Sequence, residues 1–124
     1  MVEIEVANRA GADLDTEAAT RLIRAVLSAE GIGEGELGLQ LVVPEEIRKL
    51  KREHLGIDEA TDALAFPIDG RETLPEGVPR QLGDIVLCPQ VTGDSWQAPL
   101  VHAVLHLLGY EHGPEMEARE RTHA

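Results

Sequence analysis

Residues 100–112 read LVHAVLHLLGYEH, and from 100 to 108 every residue is apolar except His102 and His106. A helix that is apolar all round is a buried helix, so this segment belongs at the centre of whatever the chain folds into. Side chains four residues apart leave a helix about 40° from each other, one turn apart, so both imidazoles share a face. Gly109 then supplies the residue type that ends helices in the left-handed conformation. Past it the chain can double back and bring His112 to the same point. Burying two imidazoles without partners is unfavourable, and a shared cation removes that penalty. Three neutral imidazoles and no cysteine describe a tris-histidine site for Zn2+ or another divalent transition metal, with a fourth position open to water.

The rest of the chain has to build a support for that helix. Residues 2–6 (VEIEV) alternate strictly, as a half-buried strand does. Asp13 or Asp15 can cap the next segment, where Ala19, Leu22, Ile23, Val26 and Leu27 trace one face of an amphipathic helix that closes at Gly31. Residues 37–43 (LGLQLVV) alternate again, with Leu37, Leu39, Leu41 and Val43 pointing inward. Pro44 opens a second helix with Glu45 and Glu46 in its first turn and Ile47 and Leu50 as its buried stripe. Residues 63–66 and 85–87 are short apolar runs that read as strands, joined by a long loop over 68–82. Beyond Pro114, residues 115–121 give a final helical turn or two with Met116 inward.

The order is strand, helix, strand, helix, strand, strand, helix. It predicts an α+β fold: one small domain over 1–124, a mixed sheet of about four strands with helices packed on it, and the histidine helix buried at the centre. With aromatic residues at 2%, the core has to come from Leu, Val, Ile and Ala.

Charge and composition narrow the function. No apolar run is long enough to span a bilayer, and residues 1–9 lack the charged-then-apolar pattern of a signal peptide. The lone Cys88 cannot pair internally and fits a reducing cytoplasm, as a small apolar residue at a strand end. Lys and Arg number 11 against 23 Asp and Glu, a net charge of −12 that gives no general attraction to phosphate backbones or anionic membranes. A nucleic-acid partner would need a local basic patch. The dense candidate is Arg48, Lys49, Lys51 and Arg52, which otherwise form the solvated C-terminal half of a helix.

Three stretches in order resemble motifs of the YbeY family, bacterial metal-dependent endoribonucleases of ribosomal RNA maturation. HAVLHLLGYEH at 102–112 resembles H-G-x-L-H-L-x-G-Y-D-H, with Ala103 for Gly and Glu111 for Asp. TDALAFP at 61–67 resembles T-D-V-L-S-F-P, and GDIVLCP at 83–89 resembles the family's G-D-I-x-I-S strand. The resemblance implies a zinc-type site at His102, His106 and His112 acting on single-stranded RNA, with ribosomal RNA as substrate and ribosomal proteins as further candidate partners. The chain departs from the family at two places. In LKREHLGID at 50–58, Leu55 stands where the family carries an Arg thought to serve catalysis, and His54 at its aromatic position. The connection VTGDSWQAP at 91–99 is shorter than the helical stretch usual in relatives.

In such a site the metal would activate its bound water and polarise a phosphoryl oxygen, and three neutral ligands leave the full +2 charge to meet an anionic substrate. Glu111, next to His112, is a candidate base or supporting acid. Asp62 and Asp84 could orient a ligand but also suit strand-end hydrogen bonding. Tyr110 reads as packing that fixes the turn after Gly109, and Trp96 as a partly buried residue that could stack on a base. His54 and His123 have no partner by spacing. Zincin peptidases place a Glu directly after the first His, where this chain has Ala103, which weighs against a metallopeptidase-like hydrolase. The remaining alternative is a non-catalytic ribosome- or RNA-binding factor with a structural metal.

Overall fold

The computed structural model describes residues 1–123; Ala124, the last residue of the single domain expected over 1–124, lies outside them. Four strands, β1 (Val2–Asn8), β2 (Gly35–Leu41), β3 (Ala63–Pro67) and β4 (Gln81–Leu87), form a sheet in the order β1-β2-β4-β3. β1, β2 and β4 run parallel, and β3 pairs antiparallel with β4. The mixed sheet with helices packed on it is the α+β architecture expected.

Alternation along β4 assigns the helices to the sheet's two faces. Ile85 and Leu87 join the main core, which holds α1 (Thr16–Ala29) and α4 (Gln97–Leu107). Val86, between them, turns to a smaller cluster with Val42, Ile47, Leu64 and Cys88, under α2 (Pro44–Leu55). The histidine helix α4 touches β3, β4, α1 and the last helix, α5 (Pro114–His123), and Leu100, Val104, Leu105 and Leu107 on it are fully buried. It occupies the centre, as its uniform apolarity requires.

Local chemistry accounts for the helix ends. Asp15 caps α1 by accepting from the Ala18 N–H at 3.1 Å. Gly56, at φ +72, closes α2. α4 starts three residues earlier than the apolar run suggests, because Pro99 falls in its first turn, where its missing N–H has no carbonyl to bond in any case. A single short turn, α3 (Pro89–Thr92), precedes it.

Three other boundaries differ from expectation. Val43 is 40% exposed, because β2 stops at Leu41 and Val43 becomes the residue ahead of α2, while Val42 takes the buried position. β4 begins at Gln81, so the long loop ends at Arg80 and Leu82 is buried in the sheet. The final helix spans Pro114–His123, more than the turn or two anticipated, with Met116 inward.

Candidate metal centre

The last turn of α4 closes with the paired bonds of a Schellman motif. The Gly109 N–H donates to the His106 carbonyl at 3.0 Å, and the Tyr110 N–H to the Leu105 carbonyl at 3.1 Å. Gly109, at φ +94, takes the left-handed position that this motif requires. The chain reverses there, and His112 returns to the face that carries His102 and His106. The three ring centroids lie 4.5 to 4.9 Å apart. One ring nitrogen from each histidine falls within 4.8 Å of the other two. His102 and His106 are half-buried and His112 is exposed, so the cluster opens to solvent on one side.

The hydrogen bonds around the rings decide which nitrogens are free. His106 Nδ1 lies 2.9 Å from the Tyr110 carbonyl, which can only accept, so Nδ1 carries the proton and Nε2 its lone pair. Glu120 Oε2 lies 3.3 Å from His102 Nδ1, and its negative charge there favours a proton on Nδ1 and a lone pair on Nε2. The two Nε2 atoms then face each other at 3.0 Å. Two neutral imidazoles would oppose lone pairs at that distance. A tetrahedral ion about 2.0–2.1 Å from each nitrogen spaces its ligands by about 3.3 Å, so this donor set fits zinc or a metal of similar preference. Burial, reinforced by the neighbouring His102 ring, which disfavours a second proton on the pair, holds His106 below the usual imidazole range and favours the neutral form.

A second cluster supports the first. Glu30, at the C-cap of α1, has a side chain only 1% exposed. It accepts from the Tyr110 hydroxyl at 2.7 Å, from Arg71 Nη2 and Arg119 Nε at 2.9 and 2.8 Å, and pairs with His123 Nε2 at 2.9 Å. Burial alone would raise its pKa; the hydrogen bonds from Arg119, Tyr110 and His123 outweigh that and bring it down to about 2. Tyr110 thus does more than pack: its carbonyl orients His106 and its hydroxyl is anchored on Glu30. Glu30, Arg71, Arg119, Glu120 and the role of His123 were not foreseen. Their partners are distant in sequence, and spacing within one helix carries no signal for them.

The other sequence candidates separate from the histidines. Glu111 borders the same groove as His112. Asp62 Oδ1 accepts from the Ala63 N–H at 2.7 Å, at the start of β3. Asp84 lies against Gly38 in a hollow lined by Glu3, Glu5 and Glu36, on the sheet face away from α4. Trp96 is half-buried against the core, and His54 packs on Phe66 with ring centroids 4.9 Å apart. Leu55 is 57% exposed. Of the basic cluster, Arg48 bonds Asp58 at 2.7 and 3.2 Å, Arg52 lies 3.9 Å from Asp58, and Lys51 pairs with Glu59 at 2.9 Å. Lys49 alone of the four has no carboxylate partner among the described residues. The charge of this cluster is largely compensated, and its helix lies across the sheet from the histidines.

Comparison with known proteins places the whole chain. An endoribonuclease YbeY of Salinispora tropica is 38% identical, with 96% of this chain and 88% of the relative covered. That alignment runs to 139 positions against a 124-residue chain, so the relative holds residues that this chain lacks. An endoribonuclease YbeY of Chloroflexus aurantiacus is 39% identical with the same coverage. A protein of Thermotoga maritima solved in solution superposes with a TM-score of 0.60 at 26% identity, over 99% of this chain and 86% of that one. The family described as endoribonuclease YbeY matches residues 4–123, and the chain belongs to it.

Proposed function

We propose that this chain cleaves single-stranded RNA by metal-assisted hydrolysis, with precursor ribosomal RNA as its substrate. Membership of its family makes it an endoribonuclease, a hydrolase of RNA phosphodiester bonds. The observation that carries the metal-dependent form of this function is the pair of Nε2 lone pairs facing each other at 3.0 Å beside a third imidazole. His102, His106 and His112 would hold the ion, zinc by the preference of three neutral nitrogens. When bound, it supplies Lewis acidity that activates water and polarises a phosphoryl oxygen.

The remaining work falls to the chain. Tyr110 and Glu120 hold the ligand rings in the productive tautomer. Glu111 borders the groove next to His112, where its carboxylate can take a proton from the attacking water. No described helix is long and apolar enough to cross a membrane. The unpaired buried Cys88 fits a cytoplasmic site of action, where ribosomal proteins would be at hand.

The test is metal analysis of the purified protein, with cleavage of single- and double-stranded RNA assayed before chelation, after it, and on restoring zinc. Cleavage of single strands that chelation abolishes and zinc restores is the expected result. Cutting of a protein substrate with RNA left intact would select a peptidase. Bound metal and ribosome association with no turnover would select a binding factor.

A further inference from the structure

Resting on that function, we infer that Arg71 is the substrate-phosphate contact of the site, a side chain supplied by the loop between β3 and β4. A groove of about 530 Å³ is bordered by His112, Glu111, Tyr110, Glu115 and Arg71. Arg71 is the one Lys or Arg side chain on its lining. Its guanidinium carbon lies 5.5 Å from the Tyr110 ring centroid, and its side chain is 44% exposed.

The loop is built to hold it there. Arg80 donates to the Gly70 carbonyl at 2.7 Å and to the Glu72 carbonyl at 2.9 Å, gripping the backbone on both sides of Arg71. Asp69 fastens the loop to the sheet, with its N–H on the Gln81 carbonyl at 2.8 Å and its carboxylate on the Gln81 N–H at 2.7 Å. Gly70 sits against the end of α4, where a Cβ would come within 3.3 Å of the Leu107 carbonyl.

Charge leaves Arg71 free to act. Its Nη2 donates to the Glu30 carboxylate and carbonyl at 2.9 and 3.2 Å, while Nε and Nη1 keep their protons for another acceptor. Glu30 already pairs with Arg119, so one carboxylate faces two guanidinium groups and a positive charge is left over. The two carboxylates on the groove, Glu111 and Glu115, pair with neither. In a protein of net charge −12, a pre-oriented guanidinium that shares its one carboxylate partner with Arg119 and borders the same groove as His112 is the feature that a phosphodiester would recognise.

The experiment compares the zinc-loaded wild type with Arg71→Gln, Arg71→Lys and Arg119→Gln on a mixed-sequence single-stranded RNA 12-mer across a salt series. Losing a charge-assisted phosphate bond should lower kcat/KM about 10- to 100-fold in Arg71→Gln, with partial recovery in Arg71→Lys. The dependence of log kcat/KM on log salt should flatten by about 0.7, the contribution of one single-strand phosphate contact. Zinc affinity should stay within about twofold of wild type. Arg119→Gln disturbs the same Glu30 cluster from outside the groove and should keep the wild-type salt slope. Wild-type salt slope and kcat/KM in Arg71→Gln, or equal losses in Arg71→Gln and Arg119→Gln, would overturn the inference and leave the nuclease assignment standing. A wild type that cuts no single-stranded RNA removes both.

Discussion

The Tyr110 hydroxyl donates to Glu30 Oε1 at 2.7 Å, tying the turn that follows the histidine helix to the end of α1, 80 positions earlier in the chain. Because the Tyr110 carbonyl also orients His106, the route from a buried carboxylate to the proposed metal site is two hydrogen bonds long. Glu30 titrates at about 2 in the folded protein against an ordinary value of 4.5. A depressed carboxylate stabilises the fold fully above the unfolded pKa and loses that contribution as pH falls toward the folded one. Metal-free protein should therefore lose about 3 kcal/mol of stability between about pH 5 and pH 2 through this group. Urea unfolding across that range measures it. Glu30→Gln should be less stable at pH 7 and decline less steeply in acid, and parallel curves for the two proteins would refute the assignment.

Glu120 stands behind His102 as Tyr110 stands behind His106. A carboxylate on the far nitrogen fixes the tautomer and raises the basicity of the ligating one, and losing such a partner weakens metal binding about 10- to 100-fold. Glu120→Gln should lower zinc affinity by that amount in competition with a chromogenic chelator while leaving the thermal midpoint of the metal-free protein nearly unchanged. A drop in the midpoint with no change in affinity would make Glu120 a packing residue of α5.

The histidine triad could be read from the sequence because its geometry is local. Four residues make one helical turn, and a glycine three residues before His112 sets the return. The strands were legible for the same reason, since alternation in 2–6 and 37–41 is a property of neighbours. What escaped was set by competing neighbours or by distant partners. Val43 continues the alternation of β2 on paper, but Pro44 ends the strand and claims it as the start of α2. Leu82 stands among turn formers, and only the pairing of its neighbours Gln81 and Gly83 with β2, with the Ile68 N–H on its own carbonyl, places it in the sheet. The Glu30 cluster joins residues 30, 71, 110, 119 and 123, and no periodicity links them.

The glycine that opens the GDIVLCP stretch has a reason visible only in three dimensions. Gly83 sits at φ +131 inside β4, and a Cβ there would overlap the Phe66 carbonyl oxygen of the neighbouring strand and press on Leu107 of α4. Neither backbone nor buried helix can give way. Gly83→Ala should destabilise the protein by at least about 3 kcal/mol in urea unfolding, since the conformation and the contact oppose it together. Gly38→Ala is the matched control on β2: its new Cβ meets only the carboxylate end of Asp84, which can rotate away, and its φ is ordinary. A loss below about 1 kcal/mol is expected there. Equal losses at the two glycines would mean that general strand propensity, not the β3–β4 approach, selects Gly83.

The five histidines occupy three environments. Three converge within 4.8 Å, one packs on Phe66 and one pairs with Glu30. If the convergent nitrogens are the metal site, then His106→Ala removes the middle donor and leaves two, too few to hold zinc against a chelator. Zinc content after dialysis should be about one ion per chain in the wild type and in His54→Ala, and near zero in His106→Ala. RNA cleavage should follow the same order. His123→Ala separates support from ligation: it loosens α5 through Glu30, so the thermal midpoint should fall while the zinc stoichiometry holds. Full zinc content in His106→Ala would place the metal elsewhere, and the hydrolytic centre with it.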